Sequence, residues 1–285
     1  MTSQYIKPDT LGQALELLDR HRDEAKVIAG GTAVVLLLQQ KLIQPRYLID
    51  LGGLADLSQM ERRADGLHIG PLVRLTEIER SAAIGSAYPA LAQCVGSVGN
   101  VRIRNQATLG GSLAEADYAS DPPAFLLGLE AEIELTCTEG VRRVVLAEFM
   151  RGLFTTDLRP NELITDIILP PLPGDCRMAY IKFKTRSSED RPCVGVAALA
   201  VMDAGRVSEL RLVVGAACET PRRLPQAEAL ARGLPLSDEL ISEIADAYAA
   251  GIETLDDLRG SAWYRTQMVR VQVRRALEAL RHGRR

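Results

Sequence analysis

Apolar residues recur at Leu11, Ala14, Leu15 and Leu18, a spacing that places them on one face of a helix over Thr10–His21, with Asp9 or Thr10 as its cap. The run KVIAGG then reads as a short strand ending in paired glycines, AVVLLLQQKL as an apolar helix, and RYLIDL as a second strand. This β–loop–α–β order predicts an α/β unit. RRADGLHIGP reads as a turn-rich connection, and TEIERSAAIG and PALAQCVGSVG as two helices. RNQATLGGSLAEADYASDPP has few periodic apolar residues and is expected to be irregular, with Pro122–Pro123 opening the helix that continues AFLLGL. AEIELTCT and VRRVVLAEF predict strands on either side of Glu139–Gly140, and ELITDIILP a strand closed by Pro170 and Pro171.

The texture changes after PPLPGDC, whose prolines, glycine and aspartate mark the best candidate for a domain boundary. Beyond it AYIKFKT, PCVGVAALAVMD and VSELRLVVGA predict a small antiparallel sheet, although the middle segment also suits a helix. LPQAEALARG, SDELISEIADAYAAGI and SAWYRTQMVRVQVRRALEAL predict helices.

Composition narrows the chemistry. The chain has 285 residues, 47% hydrophobic and 25% charged, enough for a real core and about two domains. No apolar run approaches the roughly 20 residues of a membrane helix, and the first residues lack the pattern of a secretory signal; a cytoplasmic protein is expected. A net charge of -3 gives no reason to expect nucleic acid, and the arginine-rich end carries no interleaved aromatic residues for base stacking. Cys94, Cys137, Cys176, Cys193 and Cys218 form no CxxC pair, and the histidines are His21, His68 and His282. Clustered ligands for zinc or iron–sulfur are therefore missing, no metal site is expected, and Ser–His catalysis has little to work with.

Two glycine pairs carry the candidate chemistry. Gly30–Gly31, with Thr32, lies between a strand and a helix; Gly110–Gly111 lies between Thr108 and Ser112, with Asp117 and Asp121 following. Glycine removes the Cβ atoms that would block a ligand, and backbone N–H groups at a helix start favour phosphate. Either pair alone is equally a tight turn, and neither is a GxGxxG fingerprint. Together they suit one extended phosphate-bearing ligand lying between them.

The combination resembles the FAD-binding medium subunits of molybdenum hydroxylases, the family of carbon monoxide, nicotine and xanthine dehydrogenases. The resemblance rests on VIAGGTAVV, VRIRNQATLGGSLAEADYASDPP, ELITDIILP, YIKFKTRSSED, ETPRRLPQAEALARG and RGSAWYRTQMVRVQVRRAL. These follow one another in the family's order and spacing over essentially the whole chain. It implies an α+β fold: a FAD-binding domain of the vanillyl-alcohol-oxidase type over residues 1–174, built of two α/β subdomains (about 1–55 and 56–174). A C-terminal domain over 175–285, with a small antiparallel sheet and a helical bundle, is implied to follow.

By matching position, the resemblance implies a first FAD loop of Val27, Ile28, Ala29, Gly30, Gly31, Thr32, Ala33 and Val34, and a second of Thr108, Gly110, Gly111 and Ser112. Val98 is a further implied FAD-binding residue, Ile164 matches a position at the flavin ring, and Asp121 an acid that could accept from FAD hydroxyls; Asp121 also suits an N-cap, and Ile164 plain core packing. Lys182 matches a lysine beside the isoalloxazine, with Lys184 a competing alignment on the alternating strand. Thr32 stands where many relatives have histidine and Ser112 where many have asparagine. With no histidine near either loop, FAD is expected to bind non-covalently. The cysteine-bearing insertion of the 4-hydroxybenzoyl-CoA reductase branch is missing.

The implied role is electron transfer within a heteromeric enzyme. A large molybdenum-cofactor subunit would oxidise substrate, a small subunit with [2Fe-2S] clusters would relay electrons, and FAD in this chain would pass them to a terminal acceptor, within a dimer of heterotrimers. No catalytic acid–base set is expected in this chain. A stand-alone FAD-dependent oxidase or dehydrogenase is the alternative.

Overall fold

The computed structural model describes residues 3–187 and 189–283. Strands β1 (Gln4–Ile6), β2 (Ala25–Ile28) and β3 (Tyr47–Asp50) form a parallel sheet in the order β1–β3–β2. Parallel neighbours need crossovers, and the helices Leu11–His21 and Val34–Gln39 supply them. Thr10 caps the first, its hydroxyl accepting from the Gln13 amide at 3.2 Å. Ala14, Leu15 and Leu18 then face Ile49, Leu51 and Leu54 in a small core.

The second unit is an antiparallel sheet in the order β4–β5–β10–β6–β7. Its strands are β4 (Met60–Arg63), β5 (Gly66–Ile69), β6 (Glu132–Cys137), β7 (Gly140–Val145) and β10 (Leu163–Leu169). A two-stranded hairpin, β8 (Met150–Gly152) with β9 (Thr155–Thr156), lies beside it. The helices between Leu75 and Gly128 cover one face and close the core around Leu91, Phe125 and Ile167.

Three expectations about this unit are corrected, the first being VRRVVLAEF, which is strand only to Val145 and helical over Leu146–Phe149. RRADGLHIGP is the β4–β5 hairpin rather than a bare connection. The outer strand is polar, which hid its partner, but Gly66 after Asp65 and the alternation Leu67, His68, Ile69 were the signal. The second glycine segment contains a seven-residue helix, Leu109–Glu115. Leu109 and Leu113 are its i, i+4 core contacts, and glycines in the first turn concealed that period.

β11 (Cys176–Phe183), β12 (Val194–Asp203) and β13 (Arg206–Gly215) form the third sheet, antiparallel throughout. One face joins the core of the second unit through Met178, Tyr180, Leu199 and Val213. The other lies under the helices Asp238–Gly251 and Ala262–Arg281. The central strand is therefore apolar on both faces, as a doubly covered strand must be, and this is why VGVAALAV resembled a helix. Among the described residues, no helix is long and apolar enough to cross a membrane. The five cysteines are free thiols.

On the outer face of the second sheet His68 sits between two carboxylates. Nδ1 is 2.6 Å from Asp166 Oδ2 and Nε2 is 2.8 Å from Asp65 Oδ1. Burial disfavours the imidazolium, but the two carboxylates outweigh it and the His68 pKa is raised. The stabilisation is fully present below the unfolded-state value of about 6.5 and is lost as pH rises through the higher folded-state value. Urea unfolding between about pH 6 and 8 should show stability falling with pH. His68→Gln should flatten that slope and cost about 1–3 kcal/mol at pH 6, because Asp65 and Asp166 lose the imidazolium while Asp166 keeps Arg63 at 3.5 Å. An unchanged slope in the variant contradicts this assignment.

Candidate functional site

The two glycine loops meet backbone to backbone. A Cβ on Gly30 would lie 1.8 Å from the Gln106 carbonyl oxygen. The second loop is in turn fastened to residues 71–75: the Leu109 amide donates to Val73 O (3.0 Å), Gly110 to Pro71 O (2.9 Å), and Leu75 to Ala107 O (2.9 Å). A Cβ on Gly110 would meet Pro71 Cβ at 2.4 Å. Gly30 and Gly110 thus serve the contact of protein with protein. Gly31 serves conformation, since its φ of +74° disfavours residues with a Cβ.

Gly111 is different. Within 4 Å its Cβ would meet, among the described residues outside its own helix backbone, only the Thr108 hydroxyl, at 2.8 Å, so its open side is the place where another molecule can approach the backbone. The amides of the second loop are used internally: Gly111 donates to Thr108 Oγ1 (3.1 Å) and Ser112 to Thr108 O (3.0 Å). The Ser112 hydroxyl also donates to Thr108 O. In the first loop, no acceptor among the described residues takes the amides of Gly31, Thr32, Ala33 or Val34. The first loop offers donors and the second an open floor. Consecutive free amides form the kind of concavity that holds phosphate oxygens, so these residues fit a pyrophosphate.

A second group forms where the C-terminal sheet meets the middle unit. Asp121 begins the helix Asp121–Gly128, preceded by Ser120 at the N-cap. Its carboxylate is not spent on a cap: Oδ1 accepts from the Tyr180 hydroxyl and Oδ2 from Lys182 Nζ, each at 2.7 Å. Lys182 also donates to the Ser97 carbonyl at 2.9 Å. Both charged side chains are buried, at 4% and 6% exposure. Burial raises the Asp121 pKa, and Lys182 and Tyr180 pull it back. Lys184 lies past the end of β11, and its charge also acts on Asp121.

The remaining expected residues are spread around these two groups. Val98 is half-buried, and its carbonyl accepts from Arg104 Nη1 at 3.1 Å. Val27, Ile28 and Ala29 line the end of β2, an edge strand of half-buried residues that leads into the open amides. Ile164 is packed in the core of the second unit, in the same cluster as Val98 and Tyr180, beside a bulge between Ile164 and Asp166. Sequence reasoning missed Tyr180, Ser97 and Gln106. Tyr180 had a signal, since it is two residues from Lys182 and shares its face of the strand; the other two act through backbone carbonyls and had none.

Open amides, an open glycine floor and a wall lent by a second unit define a protein built to hold a phosphate-bearing cofactor. The family described as "FAD binding domain in molybdopterin dehydrogenase" matches residues 1–172, and that described as "CO dehydrogenase flavoprotein C-terminal domain" matches residues 179–280. The glyceraldehyde dehydrogenase medium chain of Sulfolobus acidocaldarius is 31% identical, with 96% of each chain covered. The nicotine 6-hydroxylase medium subunit of Paenarthrobacter nicotinovorans is 32% identical over 96% of this chain and 95% of its own. Among solved structures, a carbon monoxide dehydrogenase chain from Hydrogenophaga pseudoflava superposes with a TM-score of 0.95 at 30% identity, covering 98% and 97% of the two chains. The chain belongs to the family of FAD-binding subunits of molybdopterin dehydrogenases, and is an oxidoreductase subunit.

The distinct duties of the glycines can be separated in ligand-free protein. Gly30→Ala should lower stability to urea by about 3 kcal/mol or more, because neither backbone can yield. Gly111→Ala should cost only about 1 kcal/mol, through the disturbed Thr108 cap. Equal losses would contradict the assignment.

Proposed function

We propose that this chain binds FAD non-covalently and passes electrons through it as the medium subunit of a molybdenum hydroxylase. The observation that carries the reading is the pairing of four open amides, Gly31 to Val34, with the open floor at Gly111. The pyrophosphate would lie between them, held by the first loop and flanked by the Thr108 and Ser112 hydroxyls. The ring end would lie toward Val98, Asp121, Ile164 and Lys182. Residues 1–174 would form the FAD-binding domain and 175–285 the C-terminal domain, with the site completed only where they meet.

When bound, FAD supplies a carrier that can take up electrons one at a time and release them as a pair. The protein's own work is to bind, orient and charge-balance it. The open amides neutralise the phosphates, and the Asp121–Lys182 pair fixes a cation near the Ser97–Val98 turn. The partners we infer are a large subunit with the molybdenum cofactor and a small subunit with [2Fe-2S] clusters, arranged as a dimer of heterotrimers in the cytoplasm. Family membership supports a multi-subunit enzyme, since the relatives are named as medium chains and subunits.

Purified protein should show a flavin spectrum, with FAD released by acid or heat. Colourless protein that cannot be reconstituted overturns the reading. Gly111→Val should lose FAD while unfolding only about 1–2 kcal/mol more easily, since its branched side chain fills the cradle. Retained FAD in that variant removes the second loop from the site. Affinity purification should recover a large molybdenum subunit and a small iron–sulfur subunit; a catalytically complete monomer contradicts the complex.

A further inference from the structure

The buried pair of Asp121 and Lys182 is poorly explained as a stability device. Desolvating each ion costs several kcal/mol, and apolar residues of similar volume commonly do as well or better. Its geometry is more informative. Asp121 comes from a helix start in the middle unit, Lys182 from β11 in the C-terminal unit, and Ser97 from the turn that leads to Val98. All three meet through one ammonium group.

Tyr180 completes the arrangement. Its ring packs edge-on to Phe125, with centroids 6.2 Å apart, and its hydroxyl reaches Asp121 Oδ1. Room for that hydroxyl is made by Gly195 on the neighbouring strand, directly opposite Lys182 in register. A Cβ on Gly195 would lie 2.6 Å from the Tyr180 oxygen. The position therefore accommodates the hydroxyl as well as the ring. Lys182 has three N–H donors; one goes to Asp121 and one to Ser97.

We propose that Tyr180 is a positioning residue of the cofactor site: by holding Asp121 through one oxygen, it fixes the Lys182 ammonium against the Ser97 carbonyl and aims the remaining Lys182 donor at the bound FAD. This rests on the FAD reading above. The groups facing Asp121 are Tyr180 and Lys182, with Lys184 at longer range, and the buried Cys94 thiol acts electrostatically on Tyr180. Without the Tyr180 hydroxyl the carboxylate keeps a single strong donor. It then draws the ammonium toward itself, and the potential at the ring end becomes more negative.

The test uses holo-protein and three variants: Tyr180→Phe, Asp121→Asn and the double variant. Wild-type protein that binds FAD establishes the underlying reading before any variant is compared. Tyr180→Phe keeps the ring contact with Phe125 and should retain its fold. It should weaken FAD affinity about tenfold and shift the flavin midpoint potential to lower values. Because Tyr180 acts through Asp121, it should have no further effect on affinity or potential in the Asp121→Asn background. A wild-type potential and affinity in Tyr180→Phe overturns the proposal, as do effects of the two substitutions that simply add. Should Tyr180→Phe fold poorly, Lys182→Met gives an independent reading. A midpoint potential unchanged from wild type in Lys182→Met also overturns the proposal.

Discussion

The candidate site depends on one contact between two backbones. Gly30 rests against the Gln106 carbonyl so closely that no side chain fits between them. That contact joins a parallel α/β unit to an antiparallel one, and it sets the distance between the loop that offers donors and the loop that offers space. Hydrogen bonds from the second loop to residues 71–75 keep it from drifting away. The cradle is thereby made before any ligand arrives, and less ordering remains to oppose binding.

A second joint sets the other end of the proposed site. The C-terminal sheet is covered on both faces: its helices lie on one, and the helix Asp121–Gly128 on the other. This packing brings Tyr180 and Lys182 to the start of that helix, where Asp121 receives both. The proposed ring end would therefore be shared between the middle unit and the C-terminal sheet, whose inner face joins the middle unit's core through Met178, Tyr180, Leu199 and Val213. A charge buried at such a joint needs its partners in place, so the local electrostatics depend on the docking of the two units.

Much of this was legible in the residues themselves. Both glycine pairs, the helix opened by Pro122–Pro123 and the first and third C-terminal strands follow from spacing and turn chemistry, while the doubly covered middle strand also suited a helix. The resemblance added Asp121 and Lys182, and the structure joins them directly. Less legible features had physical reasons. The β4–β5 hairpin hid behind a polar edge strand, and the helix Leu109–Glu115 behind glycines that break its apolar period. Glycine pairs alone could not reveal that Gly30 and Gly110 serve packing, Gly31 a positive φ, and Gly111 an opening. That division depends on neighbours distant in sequence, namely Gln106 and Pro71. Ser97 acts through its main chain, which residue identity does not report.

The central proposal is that the amides from Gly31 to Val34, without acceptors among the described residues, are the donors that would hold the phosphates of FAD. Hydrogen–deuterium exchange of this segment, with and without FAD, tests it most directly. These four amides should exchange rapidly in the ligand-free chain and slow markedly once FAD is bound. FAD bound stoichiometrically while all four continue to exchange at the ligand-free rate would contradict the account.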